Sequence, residues 1–188
     1  MSDVGSGMPE GRDAELLRHC LATLAYRVQK ALRGAPDGFG EFSAGQGVRT
    51  PRELVRHITS VLGYARTFLV GGVYFPEPLP TLRDEVERFH GITADLASHL
   101  RAGTPLRGIS TEQLLQGPLA DALTHAGQLA MLRRLSGEPV ASENFLMAEI
   151  SGDRLGSQQP MPAAPTPRWM GALIQAVYRM SRWTRRRR

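Results

Sequence analysis

The feature that most constrains the fold of this 188-residue chain is a helical repeat of apolar residues, which recurs in four long segments. Within residues 13–33, 50–70, 81–102 and 110–135, apolar side chains recur at steps of three and four positions. Glycine- or proline-containing stretches separate these segments, and they lack the alternating pattern of β-strands. The pattern therefore predicts an all-α fold, an antiparallel four-helix bundle.

The ends of these segments carry residues that start and stop helices. Thr50 precedes Pro51 and Glu53, which is the pattern of an N-cap, a proline at the first helical position and a capping box. Asp13 and Thr81 stand where N-caps of the first and third helices are expected. The helix limits are therefore well marked in the sequence.

The fourth segment places Asp121 and His125 four positions apart, so both side chains project from one face of the predicted helix. At three- and four-residue steps, that face reads Leu114, Pro118, Asp121, His125, Gln128, Leu132 and Leu135. The pattern predicts that this face is turned to the core. Buried polar groups are costly unless they are satisfied, and coordination of a divalent metal satisfies them.

The second segment offers a third ligand, His57, which lies among apolar positions one turn from the helix start. Two imidazoles and one carboxylate leave coordination positions open for water or substrate, and Zn, Ni, Mn and Fe all accept such donors. The alternative is a buried hydrogen-bonded network of His57, Asp121 and His125 that holds no metal.

Residues near these three are expected to have supporting or structural roles. We expect Gln128 to orient a water bound to the metal, which would be the catalytic group, and Glu53 to support His57 from one turn away. Residues of both types are more often structural. The single cysteine, Cys20, fits a small core residue. We assign no functional role to His19, His90 and His99.

The positive charge of the chain is concentrated in its last segment. Seven arginines within residues 168–188 account for more than the whole net charge of +5, so the rest of the chain carries −2. This argues against specific nucleic-acid binding by the body of the protein. The segment itself predicts a basic amphipathic helix that packs on the bundle or on a second copy. Contact with a membrane and nonspecific binding to nucleic acid are less favoured alternatives.

Composition assigns the remaining parts of the chain. Residues 1–12 are predicted to be disordered, residues 13–140 to form the bundle, and residues 141–167 to form a packing loop followed by a proline-rich linker. The sequence has neither an apolar stretch long enough to span a membrane nor a signal-peptide pattern, and it predicts a cytoplasmic protein.

Two segments resemble the DinB/YfiT-like family of metal-binding four-helix bundles. The fourth segment contains DALTHAGQLAMLRR, in which Asp121 and His125 occupy the two ligand positions and a Gly-Gln pair follows. The second contains TPRELVRHITSVLGYARTFL, in which His57 occupies the position of the first ligand. Many members of the family have histidine where this chain has Asp121. A carboxylate there still ligates, and it favours harder metal ions.

The resemblance implies an up-down-down-up bundle of residues 13–140, frequently dimeric, with a divalent metal held by three ligands. Members of known activity are mostly thiol S-transferases and isomerases that use low-molecular-weight thiols. For this chain we expect a metal-dependent thiol S-transferase or hydrolase that acts with such a thiol or another small molecule. The alternative is a non-catalytic metal-binding or stress-response protein that keeps the same fold.

Overall fold

The computed structural model describes residues 11–163, and within this range the chain is helical and contains no β-strand. Five α-helices follow one another: α1 (Gly11–Leu32), α2 (Pro51–Val70), α3 (Leu82–Arg101), α4 (Thr111–Leu114) and α5 (Ala120–Leu135). Short 3-10 turns occur at Phe39–Glu41 and Phe145–Met147. The prediction of an all-α fold is confirmed for this part of the chain.

The helix starts are capped by the residues that the sequence marks. The side chain of Thr50 accepts a hydrogen bond from the amide of Glu53, and the carboxylate of Glu53 accepts one from the amide of Thr50 at 2.8 Å. Thr81 with Asp84 forms the same reciprocal pair at α3, as Ser110 with its own partner does at α4. These pairs satisfy amides that have no partner inside the helix.

The start of α1 differs from the prediction. Helix α1 begins at Gly11, so Gly11 and Arg12 are helical, and Asp13 lies in the first turn instead of forming the N-cap. A carboxylate in the first turn still interacts favourably with the positive end of the helix dipole. The predicted disorder therefore does not extend to residues 11 and 12, and residues 1–10 lie outside the described range.

The helices pack around a common apolar core. Helix α1 contacts α3 and α5, and α2 also contacts α3 and α5. The central side chains of the core are fully buried: Leu17, Leu21, Leu24 and Val28 of α1, Leu54, Ile58, Leu62 and Leu69 of α2, Phe89, Leu96 and Leu100 of α3, and Ala122, Ala126 and Leu129 of α5. Burial of such side chains is the main term that stabilises a fold of this size.

The predicted fourth helix is not one continuous α-helix. A π-helical turn, Leu115–Leu119, separates α4 from α5 and contains Gly117 and Pro118. A π-turn adds a residue to the helical turn, and one residue of an α-helix corresponds to about 100° of rotation. The turn accommodates a proline that lacks an amide hydrogen and would disrupt a regular α-helix at this position.

The π-turn changes which side of α5 faces the core. The buried apolar positions are Leu114, Leu119, Ala122, Ala126, Leu129 and Leu132, with a step of five residues across the turn. The predicted stripe was therefore right at Leu114 and Leu132 but wrong at Asp121, Gln128 and Leu135, whose side chains are exposed. The error arose because the sequence pattern assumed a regular α-helix throughout.

The described chain divides into two units. Residues 150–159 belong to the same unit as the helices: Leu155 packs against the core, and Arg18 of α1 binds the carbonyl of Gly152 and the carboxylate of Asp153. Residues 140–149 and 160–163 belong to the other unit, in which the amide of Ala163 donates to Glu143. The predicted basic helix, residues 168–188, lies outside the described residues.

None of the helices in the described range combines the length and the apolar character needed to cross a membrane.

Candidate metal centre

Two core helices bring His57, Asp121 and His125 together. Helix α2 carries His57 in its second turn, and α5, which packs against α2, carries the other two residues on adjacent turns. The Nε2 atoms of the two imidazoles lie 3.0 Å apart, and Nε2 of His125 lies 3.3 Å from Oδ1 of Asp121. The two rings are nearly perpendicular, with an interplanar angle of 81°. The structure thus assembles the three residues that the sequence singled out.

The spacing of these donor atoms fits a divalent metal ion. One ligand atom from each residue lies within 4.8 Å of the other two. Ligand bonds of 2.0–2.2 Å in tetrahedral geometry require donors roughly 3.3 Å apart. The two separations that involve His125, 3.0 and 3.3 Å, are close to this value, so small side-chain movements would centre an ion among the three donors. The cluster could therefore hold a metal with coordination positions left open.

Gln128 fixes the orientation and the tautomer of His125. The Oε1 atom of Gln128 lies 2.8 Å from Nδ1 of His125, and a carbonyl oxygen can only accept a hydrogen bond. The proton of a neutral His125 is therefore on Nδ1, which leaves the lone pair of Nε2 directed at His57 and Asp121. Histidine ligands of metal sites are commonly held in this way through the other ring nitrogen. The geometry thus gives Gln128 a supporting role at His125, and its predicted contact with a metal-bound water stays a prediction.

The environment of His57 favours its neutral form by lowering its pKa. Burial is the largest effect that lowers the pKa of His57, and the positive charge of Arg49 and the nearby His125 lower it further. The carboxylate of Asp121 opposes them and raises the pKa. Only the neutral imidazole can bind a metal, so a lowered pKa keeps His57 available as a ligand toward more acidic pH.

The cluster lies at the edge of the core and not inside it. The side chain of His125 is 11% exposed, whereas that of Asp121 is 50% exposed and His57 is intermediate. The π-turn explains this position, because it rotates α5 so that Ala122 and Ala126 face the core instead. The predicted orientation toward the bundle interior was wrong for Asp121, whose half-exposed carboxylate leaves one side of the cluster open to solvent.

The remaining residues considered from the sequence have structural contacts. Both hydrogen bonds of Glu53 serve the helix start, and the described residues show none between Glu53 and His57. Nδ1 of His90 lies 2.8 Å from the carbonyl oxygen of Leu155. Cys20 is partly buried among the core residues. Burial raises the pKa of its thiol, so a smaller fraction of the thiol is present as the reactive thiolate.

The sequence did not predict the cleft that lies beside the cluster. It lies between α2 and the π-turn, has a volume of about 680 Å³, and shares Asp121 with the cluster. Side chains of Ser60 and Tyr64 form one wall, and Gln116 with Thr124 contributes to the other. The Gly117-Pro118 pair inside a helical pattern is the sequence signal that could have indicated an irregular turn here.

Comparison of the chain with protein-family models, with curated proteins and with solved structures finds no match.

Proposed function

We propose that this chain is a DinB-like four-helix bundle that binds a divalent metal ion and acts as a metal-dependent enzyme on small molecules, as a thiol S-transferase or a hydrolase. The observation that carries the proposal is the cluster of His57, Asp121 and His125 on two neighbouring core helices. Gln128 adds to it, because its contact with Nδ1 leaves Nε2 of His125 free to ligate.

Contacts near the ends of α2 and α3 support the up-down-down-up order of helices. Arg52, at the start of α2, donates to the carbonyl oxygen of Pro80, immediately before α3 begins. Arg66 and Asp95 form an ion pair in the second half of each helix. The starts of α2 and α3 therefore lie close together, and so do their later turns. This is expected if α2 and α3 run in the same direction.

Contacts of α1 support the same order. Arg133, near the end of α5, donates to the carbonyl oxygen of Gly34, which follows the end of α1. Arg18 near the start of α1 and Arg101 at the end of α3 both bind the carboxylate of Asp153. These contacts are expected if α1 and α5 run together and α3 runs opposite to α1.

A metal ion bound here would act as a Lewis acid on a substrate or a nucleophile. The protein residues define where that chemistry takes place. His57 and His125 supply neutral donors from two helices, and Asp121 contributes a negative charge that offsets part of the charge of the ion. The exposed side of Asp121 opens to the cleft, so a small molecule can approach from there without rearrangement of the core.

Turnover measurements with a matched pair of variants test the enzymatic part of the proposal. Protein loaded separately with Zn, Ni, Mn and Fe would be incubated with thiol and electrophile pairs and with ester and amide substrates. We expect turnover that requires the metal, is lost in His57→Ala and is retained in His19→Ala, since His19 is exposed. Equal rates in wild-type protein and His57→Ala would contradict the proposal.

A non-catalytic metal-binding or stress-response protein is the second candidate. The half-exposed carboxylate of Asp121 favours it, because catalytic sites usually exclude water more completely. Bound metal with no turnover for any metal in the experiment above would support this candidate.

A further inference from the structure

The cleft beside the cluster runs along α2 and α5 away from His57. On α2, Ser60, Val61 and Tyr64 follow His57 at steps of three and four residues, so they continue the same helix face. Opposite them lie Asp121 and the π-turn. A molecule in this cleft would therefore have one end at Asp121, next to the cluster, and the other end at Tyr64.

The lining of this cleft is almost free of charge. Asp121 is the only carboxylate or base among its described lining residues. Among the described lining residues there is no Lys, Arg or His, so in the metal-free protein a carboxylate or phosphate group of a ligand would lack a counter-charge there. Without a bound metal, the lining therefore selects against anionic ligands.

The polar groups of the lining are available for hydrogen bonds. Within residues 11–163, the hydroxyl of Ser60 and the side-chain amide of Gln116 have no hydrogen-bond partner in the protein. The hydroxyl of Thr124 donates to the carbonyl of Ala120 and keeps its lone pairs as acceptors. Donors and acceptors of this kind match hydroxyl and amide groups of a ligand.

An aromatic ring at the far end of the cleft is held in place. The side chain of Tyr64 is exposed, yet its ring packs edge to face on Phe68, with ring centroids 4.8 Å apart and an interplanar angle of 75°. A fixed, exposed ring offers an apolar face to a ligand at low cost in conformational entropy. A volume of about 680 Å³ is in the range of small-molecule sites.

We propose that the cleft between α2 and the π-turn binds an uncharged organic molecule that bears hydroxyl or amide groups and an apolar surface for Tyr64. Its assignment as the substrate of the neighbouring cluster rests on the proposed function, because only then does its end at Asp121 meet a bound metal. Its binding to the cleft does not require the metal.

Two probes of nearly the same shape test the selectivity of the cleft: 4-(hydroxymethyl)benzamide, which is neutral, and 4-carboxybenzamide, which is an anion at neutral pH. Each would be titrated into ¹⁵N-labelled full-length protein, with and without zinc, while the backbone amide signals of Gly117, Ala120 and Thr124 are followed by NMR. We expect saturable shifts of these three signals with the neutral probe in both forms of the protein. In the zinc-free protein, we expect binding of the anionic probe to be at least tenfold weaker.

A pair of tryptophan variants provides the control. Ser60→Trp fills the cleft and should weaken binding of the neutral probe at least tenfold, whereas Ser98→Trp, on an exposed position of α3, should leave it unchanged. Similar affinity of the zinc-free protein for both probes, or unchanged binding in Ser60→Trp, would overturn the proposal. If zinc fails to bind but the neutral probe still shifts the three signals, the metal centre is wrong and the cleft stands.

Discussion

The contact between Gln128 and His125 is the smallest unit on which the metal centre depends. Replacement of Gln128 by alanine removes the acceptor that holds Nδ1–H and allows the ring to turn and change tautomer. Loss of such a supporting contact typically weakens metal binding about 10- to 100-fold. We expect Gln128→Ala to reduce zinc affinity by about this factor, as measured by competition with a chromophoric chelator.

The conservative variant separates this role from a general effect on stability. In Gln128→Glu a carboxylate replaces the amide and still accepts the hydrogen bond from Nδ1, so zinc affinity should be retained or increased. Equal losses in both variants would show that the hydrogen bond is not what positions the ring of His125.

His90 provides a pH-dependent contribution to stability. Burial lowers the pKa of His90 below the value of 6.5 for an unperturbed imidazole, and the hydrogen bond with Leu155 only partly offsets this effect. The unfolded chain therefore takes up the proton first, and the folded state loses stability as the pH falls through 6.5 toward the lower folded pKa. Above 6.5 the imidazole is neutral in both states and makes no such difference.

We expect the free energy of unfolding, measured in urea between about pH 5 and pH 8, to decrease toward the acidic end. The decrease should be smaller in His90→Gln, because glutamine does not titrate in this range. The lowered pKa of His57 acts in the same direction, so part of the decrease should remain in His90→Gln. An identical slope in wild-type protein and His90→Gln would contradict this assignment.

At the scale of the elements, α2 and α5 each contain a glycine. Replacing these two glycines with alanine should change the stability in opposite directions. A Cβ atom at Gly63 in α2 would overlap the ring of Tyr74, whereas one at Gly127 in α5 would meet nothing within 4 Å. Neither glycine needs a positive φ. Gly63 therefore permits the connection between α2 and α3 to lie close to the helix, and Gly127 has no such function.

We expect Gly127→Ala to increase the free energy of unfolding by about 0.5–1 kcal/mol, because alanine has the higher helix propensity. Gly63→Ala should decrease it by about 1–3 kcal/mol, since the overlap displaces a packed ring. Chemical denaturation of the two variants beside the wild-type protein measures both. Stabilisation by Gly63→Ala would mean that the connection does not pack as described.

The same elements show what the sequence could predict and why it failed elsewhere. Capping residues and glycine breaks gave α2 and α3 to within one residue, because these signals act locally on the chain. The π-turn was not predicted, because the same apolar residues also fit a regular α-helix with a different side turned to the core. That rotation depends on packing against other helices, which a single sequence does not display.

The candidate site was likewise predicted only in part. His57, Asp121 and His125 were found because donor types at helical spacing are visible in the sequence. Their position at the exposed edge and the adjoining cleft were not, because both follow from the rotation of α5. The contact of Gln128 with Nδ1 requires the rotamers of two side chains, and spacing alone does not specify them.

For the whole molecule, a metal ion at this centre would link α2 to α5, which are far apart in the sequence. Because the unfolded chain does not hold the three ligands together, the ion binds the folded state preferentially and stabilises it. At a free metal concentration 100 times the dissociation constant, the stabilisation is about 2.7 kcal/mol. We expect zinc to raise the melting temperature of the wild-type protein measured by calorimetry and to have no such effect on His57→Ala.

The most direct test of the metal centre is a zinc titration of the purified, metal-free protein by isothermal calorimetry, with His125→Ala and His19→Ala measured beside it. His125 contributes the central donor of the cluster, whereas His19 is an exposed residue of α1. We predict about one zinc ion per chain for wild-type protein and for His19→Ala, and no stoichiometric binding for His125→Ala. Equal binding by all three proteins, or by none of them, would contradict the assignment of His57, Asp121 and His125 as a metal centre.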